Sequence, residues 1–158
     1  MSAAFSPDAA VPFRTRPDQT RDLLSLVDAE VRERIEEAVD FVSLDVIVQT
    51  RRTRGLPLPV ADNAEDRREF DAGVVAFLER LAADLIEGLD AEQRQKLEET
   101  ASRAGRDRVT RLVAMQVTLA KQLPDYWQRF EATRTRHTEE RGASGGERRG
   151  FLARFFRG

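Results

Sequence analysis

Several residue types that commonly build reactive or structural sites are missing from this 158-residue sequence. It contains no cysteine and a single histidine, His137, so disulfides, zinc sites built from Cys and His, and Cys-His nucleophilic pairs are excluded. One Trp, one Tyr and few β-branched runs disfavour an extensive sheet. No run of about 18 apolar residues is present, and residues 1–17 lack the apolar centre of a secretion signal. These absences predict a helical protein that is neither secreted nor membrane-spanning.

The charge distribution separates a body from a tail. Apolar residues make up 41% of the sequence and charged residues 34%, which is typical of one folded domain at this length. The net charge is −2, but Arg141 to Gly158 contain five arginines against one acid, Glu147, so this stretch carries +4 and residues 1–140 carry −6. An acidic body with a basic tail indicates that the two parts meet different partners.

Apolar residues recur at spacings of three and four, the period of a helix with one buried face. The first such stripe extends from about Thr20 to Arg52, either as one long helix or as two, with the second capped by Asp28. Its members are Leu24, Val27, Val31, Ile35, Ala38, Val42 and Val46. The segment Gly55 to Pro59 ends it, because proline removes a backbone donor and restricts the residue before it.

Two further helices follow. The second begins near Asn63 and ends at Gly88, and its stripe consists of Phe70, Val74, Phe77, Leu78, Leu81 and Leu85. The third opens with a capping box formed by Asp90 and Gln93. Leu97 is its only strongly apolar residue, so this helix is expected to lie mostly in water.

The last two predicted helices carry the remaining core candidates. Gly105 indicates the end of the third helix, and Asp107 indicates the N-terminal cap of the fourth. The apolar stripe of the fourth helix comprises Val109, Leu112, Val113, Gln116, Leu119, Ala120 and Leu123. Pro124 suits the first turn of a final helix. That helix contains Tyr126, Trp127 and Phe130 and fades into the charged run 134–141.

These patterns predict an all-α protein in four parts. A disordered N-terminal arm covers residues 1–17, and a bundle of four to five amphipathic helices covers residues 18–140. The run Gly142 to Gly146 lies within a flexible basic linker at residues 141–149. A short amphipathic helix at residues 150–158 completes the chain.

Some chemically suggestive side chains are interpreted as structural. His137 lies in a polar stretch with no second metal ligand at helical spacing, so it is predicted to be solvent-exposed. Trp127, with Tyr126 and Phe130, is predicted to be bundle core rather than the lining of a ligand site. The three arginines within residues 51–54 match the positive charge that a helix C-terminus favours.

No constellation of side chains predicts catalysis. Acidic pairs such as Glu36-Glu37 and Glu98-Glu99 occupy neighbouring helix positions, whose side chains diverge rather than converge on a pocket. The basic cluster around Gly105 lacks interleaved aromatic residues and belongs to a net acidic body, so nucleic acid is not an expected partner. Accordingly no catalytic residue, metal or cofactor is predicted, and the protein is expected not to be an enzyme.

The tail has the composition of a membrane-docking helix. At 100° per residue, four apolar side chains, Phe151, Leu152, Phe155 and Phe156, fall within about 140°. Arginines flank them, as at an interface where apolar residues reach the acyl boundary and guanidinium groups stay with anionic head groups. The candidate docking residues are Arg148, Arg149, Phe151, Leu152, Arg154, Phe155, Phe156 and Arg157.

The run Arg149-Gly150-Phe151-Leu152-Ala153-Arg154-Phe155-Phe156 resembles the membrane-targeting tail of the MinD family of bacterial division-site ATPases. The resemblance covers about ten of the 158 residues and implies lipid-dependent, oligomer-dependent binding at the cytoplasmic face of a membrane. It implies nothing about nucleotide, because the body has no glycine-rich phosphate loop. This chain departs from the family at Ala153, where the family tends to place a lysine.

The resulting hypothesis is a cytoplasmic adaptor or scaffold. Its bundle binds a protein partner, and its tail docks reversibly on the anionic inner face of the cell membrane, with a homo-oligomer strengthening the contact by avidity. In one alternative, another protein such as a shell or polymer subunit recognises the tail of a cargo or assembly protein. In a second alternative the tail folds back onto the bundle. In a third, the protein senses a small ligand beside Trp127.

Overall fold

In the computed structural model, Phe13 and residues 28–143 are described, and they form five α-helices and no strand. The helices are α1 (Ala29–Arg54), α2 (Ala64–Ile86), α3 (Ala91–Arg103), α4 (Arg108–Gln122) and α5 (Tyr126–Thr138). A π-helical turn, Glu139–Ala143, continues α5. For this part of the chain the all-α prediction is confirmed.

Local side-chain chemistry sets the helix ends, as the sequence predicts. The Asp28 carboxylate accepts hydrogen bonds from the backbone N–H groups of Glu30 and Val31, and α1 ends at Gly55, whose φ of 69° suits a residue without a Cβ. Asp90 and Gln93 form the expected reciprocal capping box. The part of the predicted first stripe before Asp28 lies outside the described residues.

The helices α1 and α2 form an antiparallel pair. Arg51 near the end of α1 contacts Asp66 near the start of α2, while Ser43, two turns earlier, donates to the Phe70 carbonyl. The helix α5 also runs antiparallel to α2. Thr133 of α5 bonds Asp84, and Glu140, which comes later in the chain, bonds Arg80, which comes earlier in α2. The helix α4 packs against both α1 and α2, and α3 packs on α4.

The core lies between α1, α2, α4 and α5. Its largest fully buried side chains are Phe13, Ile35, Phe70, Phe77, Leu78, Leu81, Leu85, Leu97, Leu119, Tyr126 and Phe130. Leu97 is the only buried residue of α3, which confirms that this helix lies mostly in water.

For Phe13 the structure differs from the predicted disordered arm at residues 1–17. Its side chain is fully buried, and its ring stacks on Phe70 with the ring centroids 5.1 Å apart. The other residues of that arm lie outside the described part of the chain. Phe13 lies between Pro12 and Arg14, outside any periodic apolar pattern, so no local signal predicts its burial.

Replacing Phe13 by alanine should lower the free energy of unfolding by about 3–5 kcal/mol, because it removes a fully buried ring from the core. Urea unfolding followed by the fluorescence of Trp127 measures this loss. The exposed Leu58→Ala variant serves as control and should lose less than about 1 kcal/mol. Equal unfolding midpoints for wild type and Phe13→Ala would show that the ring contributes nothing to the core.

Candidate functional site

The predicted docking residues, from Arg148 to Arg157, lie outside the described residues, as do residues 144–149 of the predicted linker. Residues 141–143 of that linker belong to the π-helical turn. The last residue that the structure describes is Ala143, at the end of this turn. We call the region around it the exit end; it consists of the π-helical turn, the last turns of α1 from Thr50, and the loop 55–60 that follows α1.

The π-helical turn is held against α1 and α2. The Thr50 hydroxyl donates to the Arg141 carbonyl over 3.2 Å. Two nitrogens of Arg80 donate to the two carboxylate oxygens of Glu140, over 2.7 and 3.1 Å, a bidentate geometry that fixes orientation. The hydrogen bond from Arg80 also lowers the pKa of the Glu140 carboxyl. The start of the C-terminal segment therefore has a defined position on the bundle.

His137, predicted to be solvent-exposed, is buried with only 3% of its surface accessible. Its ring packs against Phe77, with the ring centroids 5.1 Å apart. Burial and, to a smaller extent, the positive charges of Arg141 and Arg80 lower the pKa of His137 to about 4. At neutral pH the imidazole is therefore uncharged.

The sequence contained a signal for this burial that the charged surroundings concealed. Tyr126, Phe130, Thr133 and His137 follow one another at spacings of four, three and four, so they share one face of α5. All four are buried in the structure. The period of the helix decided the position of His137, and the polarity of its neighbours did not.

His137 lines a groove of about 260 Å³ between α1, α2 and α5. Other residues of the lining are Ser43, Thr50, Glu69, Gly73 and Arg141. Two of its hydroxyls are already engaged, because Ser43 donates to the Phe70 carbonyl and Thr50 to the Arg141 carbonyl. Among the described residues, no three His, Asp or Glu side chains gather closely enough to hold a metal ion. The groove therefore presents few free groups for binding or catalysis.

The loop after α1 is held at both ends by one ion-pair network. Arg51 donates to Asp66 over 2.8 Å, to Glu69 over 2.6 Å and to the Pro57 carbonyl over 3.2 Å. The second Asp66 oxygen accepts from the Val60 N–H over 2.8 Å. The Val60 hydrogen bond, and then the bond from Arg51, lower the pKa of Asp66, while the two carboxylates raise the pKa of Arg51.

This network presents three apolar side chains to solvent. Leu56 and Leu58 are each 49% exposed and Val60 is 57% exposed, at alternating positions of an extended segment. The prediction treated this segment only as a helix stop. Its exposed surface was not foreseen, because the sequence does not show which way an extended loop turns its side chains.

A second groove, of about 500 Å³, lies between α3 and α4. Ile86, Leu97, Ala101 and Met115 form its apolar part, and Arg94, Glu98 and Arg111 form part of its rim. Neither of these two grooves is lined by Trp127.

The aromatic residues of α5 are core, as predicted. Tyr126 and Phe130 are buried, and Trp127 is half-buried with Arg34 over its ring at 4.5 Å. The Tyr126 hydroxyl donates to Gln116 over 2.8 Å, and burial raises the pKa of Tyr126. None of the described helices combines the length and apolarity needed to cross a membrane.

Because His137 is the only histidine, one imidazole signal in a proton NMR titration reports its pKa. We expect a value of about 4. The unfolded chain takes up this proton near pH 6.5 and the folded chain does not, so folding stability should fall as the pH drops from 6.5 towards 4. An ordinary pKa near 6.5 would contradict the burial of the ring.

The carboxylate of Asp66 should make the protein sensitive to acid. Its folded pKa lies below the ordinary 3.8, so its contribution to stability is complete above that value and is lost as the pH falls through the folded pKa. In Asp66→Asn the urea midpoint should be lower at pH 6 and should fall less between pH 5 and 2. Asp62→Asn, which removes an exposed carboxylate just before α2, is the matched control, and its urea midpoint at pH 6 should stay close to that of wild type.

Comparison with known proteins adds no relative. No protein-family model, curated protein or solved structure matches this chain. Any functional proposal for it therefore depends on its own residues and their geometry.

Proposed function

We propose that the protein is a non-enzymatic adaptor or scaffold. Its helical bundle binds a protein partner, and residues 150–158 dock reversibly on the anionic inner face of the cell membrane. The observation that carries this proposal is the composition of the tail, in which three phenylalanines and a leucine share one predicted helix face and arginines surround them. The contacts of the π-helical turn support it, because hydrogen bonds to Thr50 and Arg80 hold the start of the C-terminal segment on the bundle.

The magnitudes suit weak, reversible docking. Half-burial of the four apolar side chains contributes about 3–6 kcal/mol, and each arginine near an anionic surface adds about 1 kcal/mol. Ordering eight residues costs about 12 kcal/mol. These contributions nearly cancel, so one tail binds marginally, and a homo-oligomer that presents several tails binds much more strongly by avidity.

The properties of the body support recruitment rather than catalysis. Residues 1–140 carry −6, so an anionic surface does not attract the body without the tail. The only histidine packs against Phe77 with little of its surface accessible, and its pKa is lowered to about 4, so it is a weak base with little access to a substrate. The apolar groove between α3 and α4 is the larger of the two grooves and offers a surface for the protein partner.

Sedimentation with vesicles of graded anionic lipid content tests the proposal. The full chain should co-sediment increasingly as the anionic fraction rises, and a chain ending at Arg149 should stay in solution. If neither form sediments at any lipid composition, the membrane proposal is wrong. If a protein instead captures the tail peptide independently of lipid and of salt, the result supports the alternative in which another protein recognises the tail.

Point variants separate apolar insertion from charge. Phe151→Asp and Phe155→Asp should each reduce co-sedimentation at least tenfold, because they place a charge on the predicted apolar face. Ala153→Asp changes the net charge equally but lies on the opposite side of the predicted helix, so its effect should be clearly smaller. Equal effects of the three substitutions would mean that only net charge matters.

A further inference from the structure

The loop after α1 exposes an unusual concentration of apolar surface. Leu56, Leu58 and Val60 are each about half exposed and fall within five residues. Single exposed apolar side chains are normal on protein surfaces, whereas several that adjoin one another mark contact sites. The two intervening prolines, Pro57 and Pro59, keep this segment extended.

This loop is held in place before any partner arrives. Arg51 binds the Pro57 carbonyl, and Asp66 binds the Val60 N–H, while Arg51 and Asp66 bind each other. Contact with a surface therefore requires little additional ordering of the loop backbone, which lowers the entropic cost of binding.

Charges beside the loop are mixed. Arg52 and Arg54 are exposed and make no ion pair with any described residue, and they lie directly before the apolar segment. Asp62 and Glu65 are also exposed, directly after it. Electrostatic attraction to an anionic surface is therefore small, and the apolar side chains must provide most of the contact energy.

The loop 55–60 and the π-helical turn that precedes the C-terminal segment both belong to the exit end of the bundle. The Arg141 carbonyl bonds Thr50, and Gly55 follows Thr50 by five residues, about 8 Å along a helix. The six residues 144–149 span at most about 20 Å. A surface bound by the predicted docking helix is therefore held close to the loop.

We propose that the loop 55–60 is a second lipid-contact site, in which Leu56, Leu58 and Val60 enter the interfacial region of the same membrane that binds the tail. This inference rests on the proposed function. It means that the exit end of the bundle faces the lipid, while the groove between α3 and α4 stays available to a protein partner. The loop binds only when the tail brings it to the surface, because tethering turns a weak contact into an intramolecular one.

The absence of cysteine allows a direct test with the full chain. An environment-sensitive fluorophore on Leu58→Cys reports whether the loop enters lipid. The matched control carries the same fluorophore on Glu92→Cys, an exposed residue of α3. Glu92 lies beyond the C-terminal end of α2, whereas the loop precedes the N-terminal end, and α2 is about 34 Å long.

With anionic vesicles, the emission at position 58 should shift to shorter wavelength and be quenched by brominated acyl chains, while the emission at position 92 should not change. In the chain ending at Arg149, neither position should respond. In unlabelled protein, Leu58→Glu should weaken vesicle binding about three- to tenfold. Gln95→Glu, with the same charge change on exposed α3, should not weaken it.

The outcomes distinguish this inference from the proposed function. If the full chain binds vesicles but the fluorophore at position 58 does not respond, the loop is not a lipid contact and the tail alone docks. Equal responses at positions 58 and 92 would also overturn the inference. If the full chain does not bind vesicles at all, the proposed function itself is wrong.

Discussion

The apolar face of α2 organises the described part of the molecule. It packs against α1, α4 and α5, and its two phenylalanines are fully buried. Phe70 stacks on Phe13, and Phe77 meets Phe130 edge-on with the ring centroids 5.4 Å apart. Such rings contribute several kcal/mol each when buried. Since domains are stable by only about 5–15 kcal/mol, the relative positions of the three helices depend on this face.

The arrangement of the exit end follows from that packing. Phe77 supports the ring of His137, and Arg80, one turn later on α2, binds Glu140 of the π-helical turn. In the same region, Asp66 and Glu69 bind Arg51. Arg51 in turn binds the Pro57 carbonyl and so holds the loop in place. One helix therefore positions both the start of the C-terminal segment and the exposed apolar loop. The proposed lipid contacts of the loop and of the tail would reinforce each other, because one chain tethers both.

Most helix boundaries were predictable, because the groups that set them are neighbours in sequence. The capping box of Asp90 and Gln93, the cap at Asp107 and the stop at Gly55 all involve residues within four positions. Of the candidate site, only the docking residues of the tail were predicted, and these lie outside the described residues. The exposed loop was missed because its surface depends on the ion pair between Arg51 and Asp66, fifteen residues apart.

The sequence alone determined the helical class, the helix ends and the amphipathic pattern of the tail, since each depends on interactions within a few residues. Only the tertiary structure decided which surface covers His137, that Phe13 is buried and which apolar side chains are exposed. His137 is buried because α5 turns it towards Phe77, and Phe13 because α2 offers Phe70. The meeting of Thr50 with Arg141, 91 positions apart, results from the packing of whole helices, and no local pattern in the chain specifies it.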